Sequence, residues 1–309
     1  MNKKKKKVKL FKKEYIPLFL MALPGFICLL IWRYLPMVGV IISFQNFNVV
    51  KGIFGSPFVG FRNFEFLFAT TDSFVITRNT VLYNLVFIVV NMLLAVILAM
   101  MLSEIRSKNA AKLFQTVYML PYFLSWAVVA IIANAFLDRS NGVVNHLRGQ
   151  AGYTNLVDWY QRKSLWPPLI VFVNAWKEVG YRTVLYLAVI SGISREYYEA
   201  AVLDGATRFQ QAKYITLPHL RFIIGITLIM SMGSIMRGDF GLFYTVTQDS
   251  GPLYPVTDII DTYIYRGLKN MSNLGMTTAA GLYQSVVGMV MILVVNAIVN
   301  KIDPDSSMF

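Results

Sequence analysis

Residues 81–102 and 117–137 contain no charged side chain, which gives two uninterrupted runs of more than twenty residues. At about 1.5 Å per residue, each run as a helix matches the roughly 30 Å hydrocarbon core of a bilayer. A helix on the surface of a soluble domain needs a polar face, and these runs offer none. The chain is therefore read as dissolved in lipid. Its composition agrees, since 56% of the 309 residues are apolar and only 15% are charged, against about 25% charged in soluble domains. An ordinary cytosolic enzyme is excluded.

Four further runs complete a predicted set of six spans. Residues 16–44 are interrupted only by Arg33, Pro24 and Pro36, and residues 169–190 hold Lys177, Glu178 and Arg182. The run 222–236 is short, about 22 Å as helix, and needs 217–220 as its first turn. The last, 279–299, lies in a charge-free stretch between Lys269 and Lys301. The expected fold is all-α: a polytopic membrane protein with a basic N-terminal tail (1–15), a six-helix transmembrane domain (16–300) and a short C-terminal tail (301–309).

Orientation follows from where cations fall between spans. Lys and Arg are more than twice as dense in 1–15, 103–116, 192–221 and 301–309 as in 45–80, 138–168 and 237–278. Both termini are thus expected in the cytoplasm. The net charge of +13 owes much to eight cations in the first thirteen residues. That tail abuts an apolar run, so it reads as a topology signal, and no nucleic-acid partner is expected. The apolar stretch behind it is too long for a signal-peptide core and reads as a retained span.

Little in the chain suits catalysis or metal binding. Cys28 is the single cysteine, and His146 and His219 are the only histidines and lie far apart. No disulfide, cysteine cluster or histidine metal site is expected, and no catalytic residues are assigned. No Gly-Lys-Ser or Gly-Lys-Thr occurs, so the phosphate-cradling loop of an ATPase is missing. If transport is driven by ATP, the hydrolysing subunit is another polypeptide.

The loop 194–221 carries the most specific pattern. Ser194 is placed to cap a helix, and Glu196 in its first turn suits the positive helix end. Asp204-Gly205 provides a break, because glycine adopts the left-handed conformation that ends helices. A second short helix is expected from about Ala206 to Tyr214, with Pro218 in the first turn of the next span. Glu199-Ala200-Ala201, then Gly205, then Ile215-Thr216-Leu217-Pro218 resembles the EAA signature of the membrane subunits of ABC importers. Leu120 to Trp126 (LPYFLSW), Trp176 to Gly180 (WKEVG), Asp258 to Arg266 (DIIDTYIYR) and Ser285 to Gly288 (SVVG) are similar to its oligosaccharide and polysaccharide permease branch, often termed LplB-like.

That resemblance implies a type I importer permease fold in which the EAA loop, 194–218, is a coupling helix docked on a cytosolic ATPase through Glu199, Ala200, Ala201, Asp204 and Gly205. It implies a bacterial plasma-membrane assembly containing a second homologous permease as heterodimer, two cytosolic ABC ATPases and an extracellular solute-binding lipoprotein. The chain itself would hold no cofactor, ATP and magnesium being bound by the ATPases. The cargo implied is an oligosaccharide.

Candidates for the path are less sharply marked. Glu178 and Arg182 are four residues apart on one helical face, either a structural ion pair or contacts to sugar hydroxyls. Asn84, Asn134 and Asn174, with Asn91, pose the same choice between interhelical glue and path. Trp126, Trp176, Tyr181 and Tyr244 offer faces for stacking on sugar rings or belong to an interfacial belt. Arg237 and Asp239 follow the short fifth span, as gate residues or as side chains reaching the interface. The rival reading is an ion-coupled secondary transporter using Glu178 and Arg182. Such a protein is expected to show internal repeats, and none is found.

Overall fold

The computed structural model describes residues 16–270 and 273–302, nearly all of them helical. The tail 1–15 and residues 303–309 lie outside the described residues. Among the described residues the helices that carry the architecture are α1 (Ile16–Phe44), α2 (Thr71–Ser103), α3 (Lys108–Phe123), α4 (Trp126–Leu137), α5 (Val143–Gln150), α6 (Trp166–Ser191), α7 (Arg195–Leu203), α8 (Arg208–Gly233), α9 (Ile260–Lys269) and α10 (Leu274–Ile302).

By length and composition α1, α2, α8 and α10 are able to cross a membrane, and the bent pair α3–α4 brings the number to five if it is taken as one broken span. α6 has 26 residues, about 39 Å, and every eighteen-residue window in it holds Lys177, Glu178 and Arg182. Its charges rather than its length set it apart from the others. The protein is an all-α polytopic membrane protein.

α2 and α6 form the spine. Ala95 and Ala99 of α2 are fully buried and let the two backbones approach, so that Val179, Tyr186 and Ile190 of α6 pack beside them. Small residues serve this purpose in lipid, where close packing rather than the hydrophobic effect joins helices. Asn91 of α2 donates from Nδ2 to Asn174 Oδ1 of α6 at 2.8 Å, inside the pair. α8 crosses α10 at a second close approach: a Cβ on Gly288 would stand 3.1 Å from the Gly233 carbonyl. α1 differs from all of these. None of its most apolar stretch is buried within the chain, and it leans on α10 chiefly through 35–44.

Two expectations need correction. The run 117–137 is not one straight span, because α3 and α4 meet at 95° across Leu124-Ser125. Apolarity dictates that a segment sits in lipid but not that it is straight. Pro121 lies in the tight turn that ends α3, and Ser125 starts α4 by accepting from the Val128 amide at 3.3 Å. Nor is there a separate short helix before Pro218. The chain runs as one helix from Arg208 to Gly233. A proline within a regular helix crowds the carbonyl four residues back and breaks a hydrogen bond. Here the helix widens across Ala212–Thr216, and the Leu217 amide donates to the Ala212 carbonyl five residues back. The widened turn carries Pro218 without a break and gives the fifth span its missing length.

Candidate functional site

α7 begins where local chemistry places it. Ser194 Oγ accepts from the Glu196 amide at 3.3 Å. The helix closes with Gly205 at φ +79°, and the Ala206 amide donates to the Ala201 carbonyl at 2.8 Å. A reciprocal cap of Thr207 and Gln210 then starts α8. Glu199, Ala200, Asp204 and Gly205 are exposed and Ala201 is half-buried, beside the exposed apolar side chains of Tyr197, Val202, Leu203 and Phe209. Leu203 and Phe209 are 88% and 77% exposed, far more than their chemistry favours in water. This short reversal presents an apolar, small-residue surface on one side of the membrane domain. Arg208 reaches Glu104 at the end of α2 at 3.0 Å, which fixes which side that is.

A polar cavity of about 430 Å³ lies between α2, α6, the end of α8 and the segment that follows it. Asn84, Asn91, Asn174, Glu178, Arg182 and Asp239 line it, with Ser231, Ser234, Arg237 and Gly238 completing its polar wall. On α6, Asn174, Glu178 and Arg182 are four residues apart and so stand on one face. Glu178 and Arg182 share the cavity without forming a direct ion pair, so the proposed pairing is not what this geometry holds. Arg182 instead donates to Ser231 Oγ at 3.4 Å. Asn91 Oδ1 has no hydrogen-bond partner among the described residues. Asn84 donates to the carbonyls of Ile235 and Arg237, at 2.9 and 3.1 Å, and so holds the chain where α8 ends.

Lys177 organises the cavity's rim. Its Nζ donates to the carbonyls of Tyr122 and Leu124 at 2.8 and 2.7 Å, the two groups left open where α3 stops inside the bundle. A cation at a helix C-terminus is favourable on dipole grounds, and unpaired carbonyls at this depth would be costly. The same ammonium lies 5.2 Å from the Trp126 ring. Asp239 Oδ1 accepts from the Gly241 amide at 3.1 Å. A Cβ on Gly180 would collide with the Tyr118 carbonyl, and one on Gly241 with the Trp126 ring. The sequences WKEVG and LPYFLSW are thus two halves of one joint.

The DIIDTYIYR stretch forms another joint, on the side away from α7. Arg266 bonds Asp249 at 2.7 Å, bonds Asp258 and stacks 4.3 Å from the Tyr254 ring. Burial works against the Arg266 charge, yet Asp258 and Asp249 together raise its pKa above the ordinary value. Asp261 accepts from the Gly238 amide at 2.7 Å and from Gln284 at 3.1 Å. Burial pushes its carboxyl above the usual range, opposed by those two bonds. Asp261 therefore steadies the cavity-lining segment from behind.

Six of the eleven path candidates, Asn84, Asn174, Glu178, Arg182, Arg237 and Asp239, stand together on this cavity. Trp126 packs against Gly241, two residues after Asp239. Tyr181 stacks on Tyr122 at 4.8 Å, Tyr244 sits in a ring cluster with Phe240 and Tyr265, and Asn134 accepts from Gln248 at 2.8 Å. Trp176 borders a separate apolar hollow of about 240 Å³ with Leu94, Leu98 and Phe172. Two residues along a helix turn about 200°, so Trp176 faces away from Glu178. The sequence reading missed Ser231 and Ser234, whose spacing of three was the available signal, and the capping role of Lys177. Among the described residues no group of three metal-ligating side chains occurs.

Residues 91–304 match the family described as binding-protein-dependent transport system inner membrane component. Protein LplB of Bacillus subtilis (strain 168) is 35% identical over 93% of this chain and 90% of its own length. The polygalacturonan/rhamnogalacturonan transport system permease protein YteP of the same organism is 30% identical, over 97% and 92%. A bacterial ABC transporter involved in the import of the acidic polysaccharide alginate superposes with a TM-score of 0.85 at 32% identity, covering 94% of this chain and 97% of that one. A second structure of the alginate transporter, in complex with an alginate pentasaccharide-bound periplasmic protein, gives 0.84 at 32%, covering 94% and 96%.

Proposed function

We propose, for a chain that belongs to the family of binding-protein-dependent transport system inner membrane components, that its polar cavity is the part of an oligosaccharide's route that this subunit supplies. The chain is a permease subunit of a sugar ABC importer, which sets the ion-coupled rival aside. The observation that carries the assignment of the route is the position and chemistry of the cavity. Glu178 lies at the middle of the 26-residue α6, so the cavity falls near the bilayer midplane. There its amides, hydroxyls and charges are expensive unless water or a polar cargo meets them. The guanidinium groups of Arg182 and Arg237, which line the cavity, retain bonding capacity for sugar hydroxyls.

The surrounding assembly follows from the same reading. Both termini face the cytoplasm, which puts α7 with the exposed Glu199, Ala200, Asp204 and Gly205 and the half-buried Ala201 against a cytosolic ATPase. Two ATPases bind ATP and magnesium, and a second, homologous permease completes the path. An extracellular solute-binding lipoprotein delivers the cargo, in keeping with the alginate transporter solved with its sugar-loaded periplasmic protein. Closure of the ATPases moves α7, and the continuous α8 carries that movement to Ser231, Ser234 and the cavity wall. A segment with two stable arrangements is what such coupling requires.

The test is uptake of labelled oligosaccharides, amino acids and metal ions into vesicles holding the full complex and its binding protein. Oligosaccharide uptake that needs ATP and falls in the Asn91→Ala variant, with assembly intact, is the expected result. Uptake of an amino acid or metal ion with no sugar accepted would overturn the cargo assignment.

A further inference from the structure

A hollow larger than the polar cavity lies on the opposite face of α2. About 780 Å³ in volume, it is walled by Leu82, Val86, Val90 and Leu94 of α2 and by Val171 and Phe172 of α6. The helical rows separate it from the cavity: 82, 86 and 90 lie about 200° around from 84 and 88. Nothing along its walls suits a sugar. Leu82 to Leu94 is twelve residues along the helix, about 18 Å, or three-fifths of the roughly 30 Å hydrocarbon core. Beyond Leu94 the smaller hollow beside Trp176 continues it.

The upper rim differs from the walls. Arg78 is exposed there, three residues before the charge-free run begins, and so stands at headgroup level. Its guanidinium donates to Asn79 Oδ1 at 2.9 Å and to the Pro255 carbonyl at 3.0 Å, both neutral acceptors. Arg78 forms no salt bridge among the described residues, and a guanidinium has five donors. A cation held rigidly by neutral oxygens, above an apolar slot one leaflet deep, is complementary to one kind of molecule.

We propose that this groove binds an anionic phospholipid of the bilayer, with its phosphate on Arg78 and an acyl chain along Leu82, Val86, Val90 and Phe172. The fit combines planar hydrogen bonding of phosphate by arginine with the depth of the apolar wall. A spanning helix from a partner subunit would leave the Arg78 charge unmatched. The inference does not depend on the cargo or on which leaflet lies outside.

The test uses the complete complex in vesicles of equal parts phosphatidylglycerol and phosphatidylcholine, followed by native mass spectrometry. The wild type should retain phosphatidylglycerol on this subunit. Arg78→Gln should retain at least about fivefold less, since a charge-assisted phosphate contact is lost, and Lys51→Gln, at another exposed cation, should match wild type. Val86→Trp fills the slot without touching Arg78 and should also expel the lipid. A photoreactive phenylalanine analogue at position 172 should cross-link to phospholipid. Equal retention in wild type and in both groove variants, or a cross-link at 172 to another polypeptide, would overturn the proposal.

Discussion

The coupling loop and the polar cavity are built by opposite means. The loop is continuous in sequence: Ser194, Gly205, Thr207 and Gln210 each do a local job, and the reversal from α7 to α8 needs little from the rest of the chain. The cavity takes its wall from α2, α6, the end of α8 and the segment after it, so Asn84 and Asp239 meet across more than 150 positions. A locally encoded element can move as a unit. A wall assembled from four elements keeps its shape only while its joints hold, and a movement of α8 must pass through them.

The largest effect should follow from breaking the joint itself. Lys177→Met removes the ammonium that caps Tyr122 and Leu124, leaving two carbonyls open inside the bundle. The loss should be about 3 kcal/mol or more, given what hydrogen bonds to charged groups contribute when buried. Thermal unfolding of the purified complex in lipid measures it. A melting temperature equal to wild type would show that the 95° bend is held by Pro121 and Ser125 alone.

The loop should respond differently, through coupling rather than stability. Gly205 sits at φ +79° with open space around it, so a side chain meets a backbone penalty and no clash. Gly205→Val should lower uptake about tenfold, because this φ costs a β-branched residue on the order of 2 kcal/mol. Gly205→Asn should retain much of the uptake, since asparagine tolerates the left-handed region. Assembly should stay near wild type in both, and the melting temperature should fall less than in Lys177→Met. If valine transports as well as glycine, α7 is a tether and the contrast between the two regions collapses.

How much could be read from the amino acids follows the same division. Ser194, Glu196 and Gly205 announced the loop because capping and left-handed glycine are rules of adjacent residues. The spans were legible from hydropathy, and α6 was found despite its three charges. The 95° bend was not, because no charge interrupts 117–137 and Lys177, which caps the carbonyls left open at the bend, lies more than fifty positions away. The continuity of α8 through Pro218 was hidden for a related reason: a proline signals a helix start unless a widened turn precedes it. Within the cavity, Asn174, Glu178 and Arg182 shared a visible face. Ser231 and Ser234 offered only their spacing of three, which many polar residues near a helix end share.

Substitutions within the cavity should act more mildly than either of these. Glu178→Gln and Arg182→Gln should each reduce oligosaccharide uptake several-fold while leaving the melting temperature nearly unchanged, because neither side chain relies on the other as a direct partner. In a double-mutant cycle on stability their coupling should be under about 0.5 kcal/mol, as for residues that share no contact. A coupling of 2 kcal/mol or more would restore the structural ion pair and remove both residues from the route.

The smallest effect is expected at Trp176, and it separates geometry from composition most cleanly. As an aromatic residue beside Lys177 and Glu178 it looks from the sequence like a platform for a sugar ring. In the structure it turns toward Leu94, Leu98 and Phe172, is 40% exposed, and stands on the side of α6 away from Asn174 and Glu178. Trp176→Ala should therefore leave oligosaccharide uptake within about twofold of wild type, the range of a surface change that touches no buried network. Asn91→Ala, on the cavity side, should exceed that loss, because it frees Asn174 in the cavity wall. Uptake measured for both variants in the same vesicles decides the matter. If Trp176→Ala is the more damaging of the two, the route runs along the apolar face of α6, and the polar cavity is a structural feature of the bundle.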